Sequence, residues 1–444
     1  EQFVKPSPYI QRLLDWQMVT ATKKASLKKE IVPTEVVGTY RGLIRRISQI
    51  ERQSKQEKLP LPTVWRQLKQ KVLQSPLREV AEMVFMSSDF QNIPVSLTRE
   101  QAEKLYGSSL YSSVSRLETY HNCEYRYFVQ YGLRLKERDI YGLTPAVTGE
   151  FFHDALDRFL SLLIRDQLSL TNLTEETRQS LVEEVLKSIF GDARYQILAS
   201  SSRMMFLYHQ LSQTIQRVSW VIQEQAKRSK FSPAQTEVLF GQIAAKKGIS
   251  GLEIPLNNGG KLHVRGKIDR IDHVYVGDQA YIGVVDYKSS AHDFSITDAY
   301  YGLAMQLLTY LDVALMDAAE LIGQETAKPA GAFYLHVQNP ILKEEENLDQ
   351  QRLKKYKYTG IFMNDASLYQ AYDQSLEKSQ NSDVFPIRMD KDEHYQIVSQ
   401  SKDKFYTEDE LNVLLDHNRQ LMQQSAAKVL QGTLSLSRTL QLKH

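Results

Sequence analysis

Residues 267–288, KIDRIDHVYVGDQAYIGVVDYK, constrain the fold of this chain more than any other stretch. Strand-forming residues flank Gly277-Asp278, a pair suited to the tight type II′ turn that matches strand twist. The stretch therefore predicts a β-hairpin. With those two residues as the loop, Val276 faces Gln279 and, counting outwards, Asp269 faces Asp286. Facing residues point to one side of a sheet with Cβ atoms about 4.5–5.5 Å apart. Lys288 shares that side, roughly 6–7 Å further along. Arg270 and Asp272 point the other way, as structural or substrate-edge residues. A slip of one residue would dissolve the arrangement.

Two carboxylates at that separation repel, and a divalent cation between them removes the conflict. Mg²⁺ prefers oxygen ligands at about 2.1 Å and accepts few protein ligands beside water and phosphate. Such an ion polarises a phosphodiester and acidifies water, and Lys288 would orient that water or meet charge on phosphate oxygens. The same residues also fit a surface ion pair contributing less than about 1 kcal/mol. Residue types and spacing leave both readings open. They also leave open an enzyme acting on another phosphorylated substrate, since two aspartates and a lysine do not encode a leaving group.

Around the hairpin the period of the pattern changes. Residues 1–100 read as helical, with YIQRLLDW, YRGLIRRISQI and TVWRQLKQKVL interrupted at EKLPLP. NIPVSLTREQAEKLYG predicts a short strand then a helix, and SVSRLETYHNCEYRYFVQYGL one long helix with Gly132 as its stop. In TGEFFHDALDRFLSLLIRDQL, Phe151, Phe152, Ala155, Leu156, Phe159, Leu160 and Leu163 make one apolar stripe, with His153 and Asp157 away from its centre. Helices continue to about residue 228, and Thr174 offers a capping box. After Pro233, strands are expected at TEVLFG, LEIPL, KLHVRGKIDRIDHVYV, QAYIGVVDYKSS and GAFYLHVQNP. A single amphipathic helix, SITDAYYGLAMQLLTYLDVALMDAAEL, separates the last two. ILKEEENLDQQRLKKYKY is a charged excursion. TEDELNVLLDHNRQLMQQSAAKVLQG closes the pattern as a helix with a Thr407–Glu410 box and Gly432 at its end. GGK at 259–261 lacks the glycine and Ser/Thr of a phosphate-binding loop.

The 444 residues, 42% hydrophobic and 24% charged, are enough for two or three domains. With 55 basic and 53 acidic residues there is no global attraction to polyanions, although a local basic groove is compatible with the balance. The single Cys123 excludes an intrachain disulfide and a cysteine-built metal site from this stretch alone, and fits a reducing, cytoplasmic setting. No run of eighteen apolar residues occurs, so no membrane partner is expected. The first residues do not read as a signal peptide, and the chain does not begin with Met, which suggests a piece of something longer.

GEFFH, GKIDRID, VVDYKSS and AMQLLTY, in that order, resemble the RecB-type nuclease family of the restriction-endonuclease-like superfamily. SVSRLETYHNCEYRYFVQYGLRLKER followed by GEFFHDAL is similar to the C-terminal part of the B subunit of AddAB/RexAB ATP-dependent helicase–nucleases, over about residues 110–432. The resemblance implies an α/β fold, a mixed sheet flanked by helices, at 108–444 with a helical insertion at about 165–228. Residues 1–107 would be a helical linker or remnant of a helicase-like region. It implies Mg²⁺ or Mn²⁺ held by His153, Asp269, Asp286 and the Tyr287 carbonyl, and it assigns Lys288 as the motif lysine. Gln306 and Tyr310, one helical turn apart, would face DNA or metal-bound water. Without the resemblance, His153, Gln306 and Tyr310 read as core or packing residues.

The implied activity is that of a metal-dependent deoxyribonuclease, an exonuclease cutting the 5′-ended strand during double-strand-break repair. Asp269, Asp286, Lys288, Gln306 and Tyr310 would be its catalytic residues. The implied partners are DNA and, in a heterodimer, the helicase–nuclease A subunit, which supplies ATP hydrolysis and unwinding. Arg134, Lys136, Arg138, Lys354, Lys355 and Lys357 are candidates for the DNA backbone, or a solvated face. Many of the B-type subunits hold an iron–sulfur cluster on four cysteines. Cys123 matches the first, and no cysteine follows Gly432, so this stretch cannot build one. Either the cluster is lost or the stretch ends before the missing ligands; if it is lost, packing of the Cys123 helix against the last helix would replace it, with Cys123 a buried apolar residue. A non-catalytic DNA-binding or scaffolding role in the same complex, and a stand-alone single-strand exonuclease, are the alternative readings.

Overall fold

A computed structural model describes residues 8–16, 38–89, 95–138, 142, 144–241, 248–290, 292–340 and 347–435. The chain divides into two compact units, Glu1–Ile93 and Pro94–His444. The first is helical. Helices Tyr40–Gln56, Thr63–Val72 and Arg78–Asp89 bury Leu43, Ile44, Ile47, Trp65, Val72, Ala81 and Phe85 at helical spacing.

The second unit is a mixed sheet between helices. Its strands are β1 (Leu110–Ser113), β2 (Ser232–Phe240), β3 (Glu253–Pro255), β4 (Lys261–Val276), β5 (Gln279–Lys288), β6 (Lys328–His336) and β7 (Thr359–Met363), with the short Phe405–Tyr406 at the far edge. β4 is long enough to serve two sets of neighbours. Its first residues lie between parallel β1 and antiparallel β3, and its remainder between antiparallel β2 and β5. β5 and β6 run parallel, and β6 pairs antiparallel with β7. The middle strands β5 and β6 are buried almost throughout, as strands covered on both faces must be.

The helices that matter for the site are α1 (Val114–Asn122), α2 (Pro145–Arg165), α3 (Glu175–Phe190), α4 (Ser202–Arg228), α5 (Gln306–Met316) and α6 (Glu408–Leu430). α2 packs on β2 and α3, and α5 on β5, β6 and α6. The apolar stripe expected for α2 is buried at all seven positions. Thr407 and Glu410 cap α6 reciprocally. Thr174 caps α3, but Thr177 occupies the position where a capping box needs an acid or amide.

Four sequence expectations change. VSL, at 95–97, is not a strand, and Leu97 instead donates its N–H to Gly432 O at 2.8 Å. The helix expected through Cys123 breaks there, because Cys123 is extended (φ −164°, ψ 113°), and it ends in a π-helical turn at Phe128–Gly132. Cys123 is half-buried rather than buried. The single helix expected at 295–321 is three: Ile296–Tyr300, α5 and Ala318–Ile322. Gly302 takes φ +74° at the first break, a conformation glycine adopts without strain. Helix α6 closes the unit: Ser425 Oγ lies 2.7 Å from His121 Nε2 on α1. No described helix is long and apolar enough to cross a membrane.

Candidate metal centre

The β4–β5 ladder has the register expected from its turn. Val276 pairs with Gln279, and the pairs continue back to Arg270 with Val285, so Asp269 and Asp286 occupy the next facing positions. Gly277 has φ +59° and Asp278 lies outside the left-handed region, as a type II′ turn requires. Strand alternation sends Asp269, Asp286 and Lys288 to one face.

Helix α2 brings His153 to this strand end. Its Nδ1 lies 3.0 Å from Asp269 Oδ1, although 116 residues separate the two. The other oxygen, Asp269 Oδ2, accepts the Tyr287 N–H at 2.8 Å. Asp286 is 1% exposed. Lys288 Nζ lies 2.5 Å from Asp286 Oδ2 and donates to Gln306 Oε1 at 2.9 Å. Gln306 Nε2 in turn reaches Asp286 Oδ1 at 3.0 Å and Tyr310 OH at 2.9 Å. The six residues singled out in the sequence therefore form two linked groups, His153–Asp269 and Asp286–Lys288–Gln306–Tyr310, with Tyr287 between them.

Two acidic residues escaped sequence reasoning. Glu237 joins His153 and Asp269 in a cluster whose ligand atoms all lie within 4.8 Å of one another, and Asp286 stands outside that cluster. Thr236 pairs with Arg270 and Val238 with Ile268, which sets Glu237 opposite Asp269 on the far side of β4. Its φ of +51° is unusual for a strand residue with a side chain, the kind of backbone strain that collects at functional sites. Glu118 of α1 accepts the N–H groups of Met305 and Gln306, at 2.8 and 3.1 Å. It anchors the start of α5 and hence Gln306. Neither residue had a local signal, since each depends on a contact distant in sequence.

The electrostatics suit a cation. Burial, then the neighbouring Asp269 charge, raises the Asp286 carboxyl against the pull of Lys288 and His153. Burial also raises Glu237, opposed by its ion pair with Lys267. For His153 burial disfavours the imidazolium, yet the hydrogen bond and charge of Asp269 leave its pKa above the ordinary value. A cation about 2.1 Å from each donor needs donors about 3–4 Å apart, so small side-chain rotations close the His153–Glu237–Asp269 cluster. Asp286 Oδ2 is buried and, beyond its ion contact with Lys288, accepts no hydrogen bond. One imidazole among hard carboxylates fits Mg²⁺ or Mn²⁺.

The sequence pattern of the PD-(D/E)XK nuclease superfamily matches residues 111–435. The chain belongs to this superfamily. Its curated relatives are components of helicase–nucleases. The B subunit of the ATP-dependent helicase/deoxyribonuclease of Enterococcus faecalis is 49% identical over 441 residues, covering 98% of this chain and 37% of the relative. Its namesake from Latilactobacillus sakei is 36% identical over 448 residues (98% and 37%), and that from Lactiplantibacillus plantarum 40% identical over 385 residues (85% and 32%). The chain thus spans about a third of the length of these relatives. The mixed sheet with flanking helices is the PD-(D/E)XK-like architecture expected from the sequence, and the donor set supports a divalent-metal cofactor. One cysteine is too few for an iron–sulfur cluster on four thiolates.

The basic candidates differ in their surroundings. Arg134, Lys136 and Arg138 are exposed. Lys357 donates to Ser382 O at 2.8 Å, and Lys354 lies 3.9 Å from Asp383, so these two have partners within the protein, whereas Lys355 is exposed.

Proposed function

We propose that this site hydrolyses DNA phosphodiester bonds with a divalent cation. The observation that carries the reading is the meeting of His153, on a helix, with Asp269, beside a second buried aspartate wired to Lys288, Gln306 and Tyr310. His153, Asp269, Asp286 and the Tyr287 carbonyl would hold Mg²⁺ or Mn²⁺, and Glu237 completes the donor set. The ion supplies Lewis acidity and a more acidic water at neutral pH. Lys288, held beside Asp286, offsets the charge that builds on the phosphate oxygens. Gln306 holds Lys288 and Asp286 in one orientation, and Tyr310 holds Gln306. α5 starts at Gln306 and is anchored by Glu118, so this array has a fixed origin.

The names of the relatives support placing the chain as the nuclease part, residues 108–444, of a helicase–nuclease B subunit, with the helices between about 165 and 228 as its insertion. The A subunit of such a heterodimer would supply ATP-driven unwinding, and the cut strand would be the 5′-ended one at a double-strand break. The test uses the full-length protein with its partner. Asp286→Ala should reduce metal-dependent cleavage of 5′-ended strands by at least about a thousandfold, roughly 4 kcal/mol in the barrier, with melting unchanged. EDTA should abolish the wild-type activity. Normal cutting by the variant would defeat the assignment, and would favour a DNA-guiding role with cleavage supplied by the partner.

A further inference from the structure

Behind the metal site lies a buried polar cluster that the catalytic reading leaves unused. Arg270 and Tyr287 each follow a site aspartate in the chain, so alternation turns them to the opposite face of the sheet. Arg270 is 2% exposed and Asp272 6%. Arg270 Nη2 donates to Asp272 Oδ2 at 2.9 Å and to Tyr358 OH at 2.6 Å. Its Nε and Nη1, together with Asp272 Oδ1 and the Tyr287 hydroxyl, are buried without a hydrogen-bond partner. Arg270 and Asp272 adjoin a cavity of about 20 Å³, which Tyr358 and Gln225 also line. Gln225 Oε1 is also unpartnered. That volume holds one water, and a water there would meet donors and acceptors together.

Stability alone is a poor reason for such a cluster. A guanidinium stays charged in a protein, and well-packed apolar residues often replace a buried ion pair with no loss of stability. What distinguishes this one is its neighbour. Arg270 Cζ lies 6.0 Å from the centre of the Tyr287 ring, and the same ring meets the His153 imidazole edge-on, with centroids 5.9 Å apart. The Tyr287 N–H also holds Asp269 Oδ2. Tyr287 is therefore held from behind by the cluster and touches two cation ligands in front.

We propose that the Arg270–Asp272–Tyr358 cluster is a positioning device that sets His153 and Asp269 through Tyr287. It rests on the metal-site reading above. His153 sits on a helix and Asp269 on a strand, so neither element alone fixes their mutual placement. Residues that support metal ligands from behind typically change affinity 10- to 100-fold when replaced.

The test measures binding of Mn²⁺ alone, by calorimetry on the full-length protein without DNA, alongside thermal melting. In Arg270→Met/Asp272→Leu the Mn²⁺ Kd should rise by at least about tenfold while melting is retained. Tyr287→Leu should weaken Mn²⁺ binding similarly, and the conservative Tyr287→Phe, which keeps the ring, should restore it. A purely structural cluster predicts the reverse pattern, lowered melting with unchanged Mn²⁺ affinity, and that result overturns the proposal. Should the double variant fail to fold, Tyr287→Leu decides: an unchanged Kd refutes the positioning role, a weakened one upholds it. If the wild type binds no Mn²⁺, the metal-site reading itself falls and takes the proposal with it. Binding by the wild type and equal binding by folded variants sinks the positioning role alone.

Discussion

Asp286 is sealed from solvent, and burial with the adjacent Asp269 charge lifts its carboxyl to about 7. A cation must therefore displace a proton from this site below that pH, and above it finds the carboxylate already charged. The raised pKa gives the sign: Mn²⁺ affinity should increase with pH through about 7, and the raised imidazolium of His153 adds to the rise in the same direction. Calorimetry across that range on the full-length protein checks this, and a flat profile would count against Asp286 as a ligand. Asp269 and Asp286 were legible in the sequence because a two-residue turn fixes the register of the strands it joins. Glu237 was not, since its place opposite Asp269 depends on β2 returning to β4 from a distance. Glu237→Gln keeps the shape and removes the charge. It should raise the Mn²⁺ Kd about tenfold while leaving the hairpin intact.

At the level of elements, hydrophobic period predicted which segments are helices but not where they break. The α2 stripe was readable because one face is apolar over several turns. The expected 295–321 helix looked equally continuous, and it breaks at Gly302, which lies against His121 of α1, a contact that no local pattern encodes. A Cβ on Gly302 would stand 2.6 Å from the His121 ring. Gly302→Ala should therefore cost about 1–3 kcal/mol from strained backbone and clash, measured by denaturant unfolding, and displace the start of α5. His121 itself adds a pH dependence. Burial, aided by Lys428, lowers its pKa from 6.5 to about 4. The unfolded chain then takes up the proton first. The contribution is complete above about pH 6.5 and is lost as pH falls towards 4, on the order of 1–3 kcal/mol. His121→Gln should flatten this part of the acid limb, and equal acid sensitivity in variant and wild type would refute the assignment.

Across the nuclease unit, closure falls to α6, which ties its first and last described segments together. Gly432 O accepts the Leu97 N–H, Ser425 meets His121, Asn418 Nδ2 donates to Thr309 Oγ1, and Arg419 grips Asp312 with two nitrogens at 2.7 and 2.5 Å. Of these contacts, Ser425–His121 joins the helix that ends at Cys123 to the C-terminal helix, and the Asn418 and Arg419 contacts join α5 to it. Hydrogen bonds and packing contribute to this junction, so its strength should depend on individual side chains. Asp312 is 2% exposed, and burial raises its carboxyl despite Arg419. Arg419→Met would strand that carboxylate. Because the Arg419 side chain is 40% exposed, the loss is expected at about 2 kcal/mol, below the cost of breaking a fully buried pair. Adding Asp312→Leu removes the stranded charge and should recover most of it. A double-mutant cycle by denaturant unfolding separates the cases: additive losses would mean that the pair does not couple α6 to α5, and the junction would rest on the Asn418–Thr309 hydrogen bond and the buried apolar face of α6, with Leu411, Leu415 and Met422.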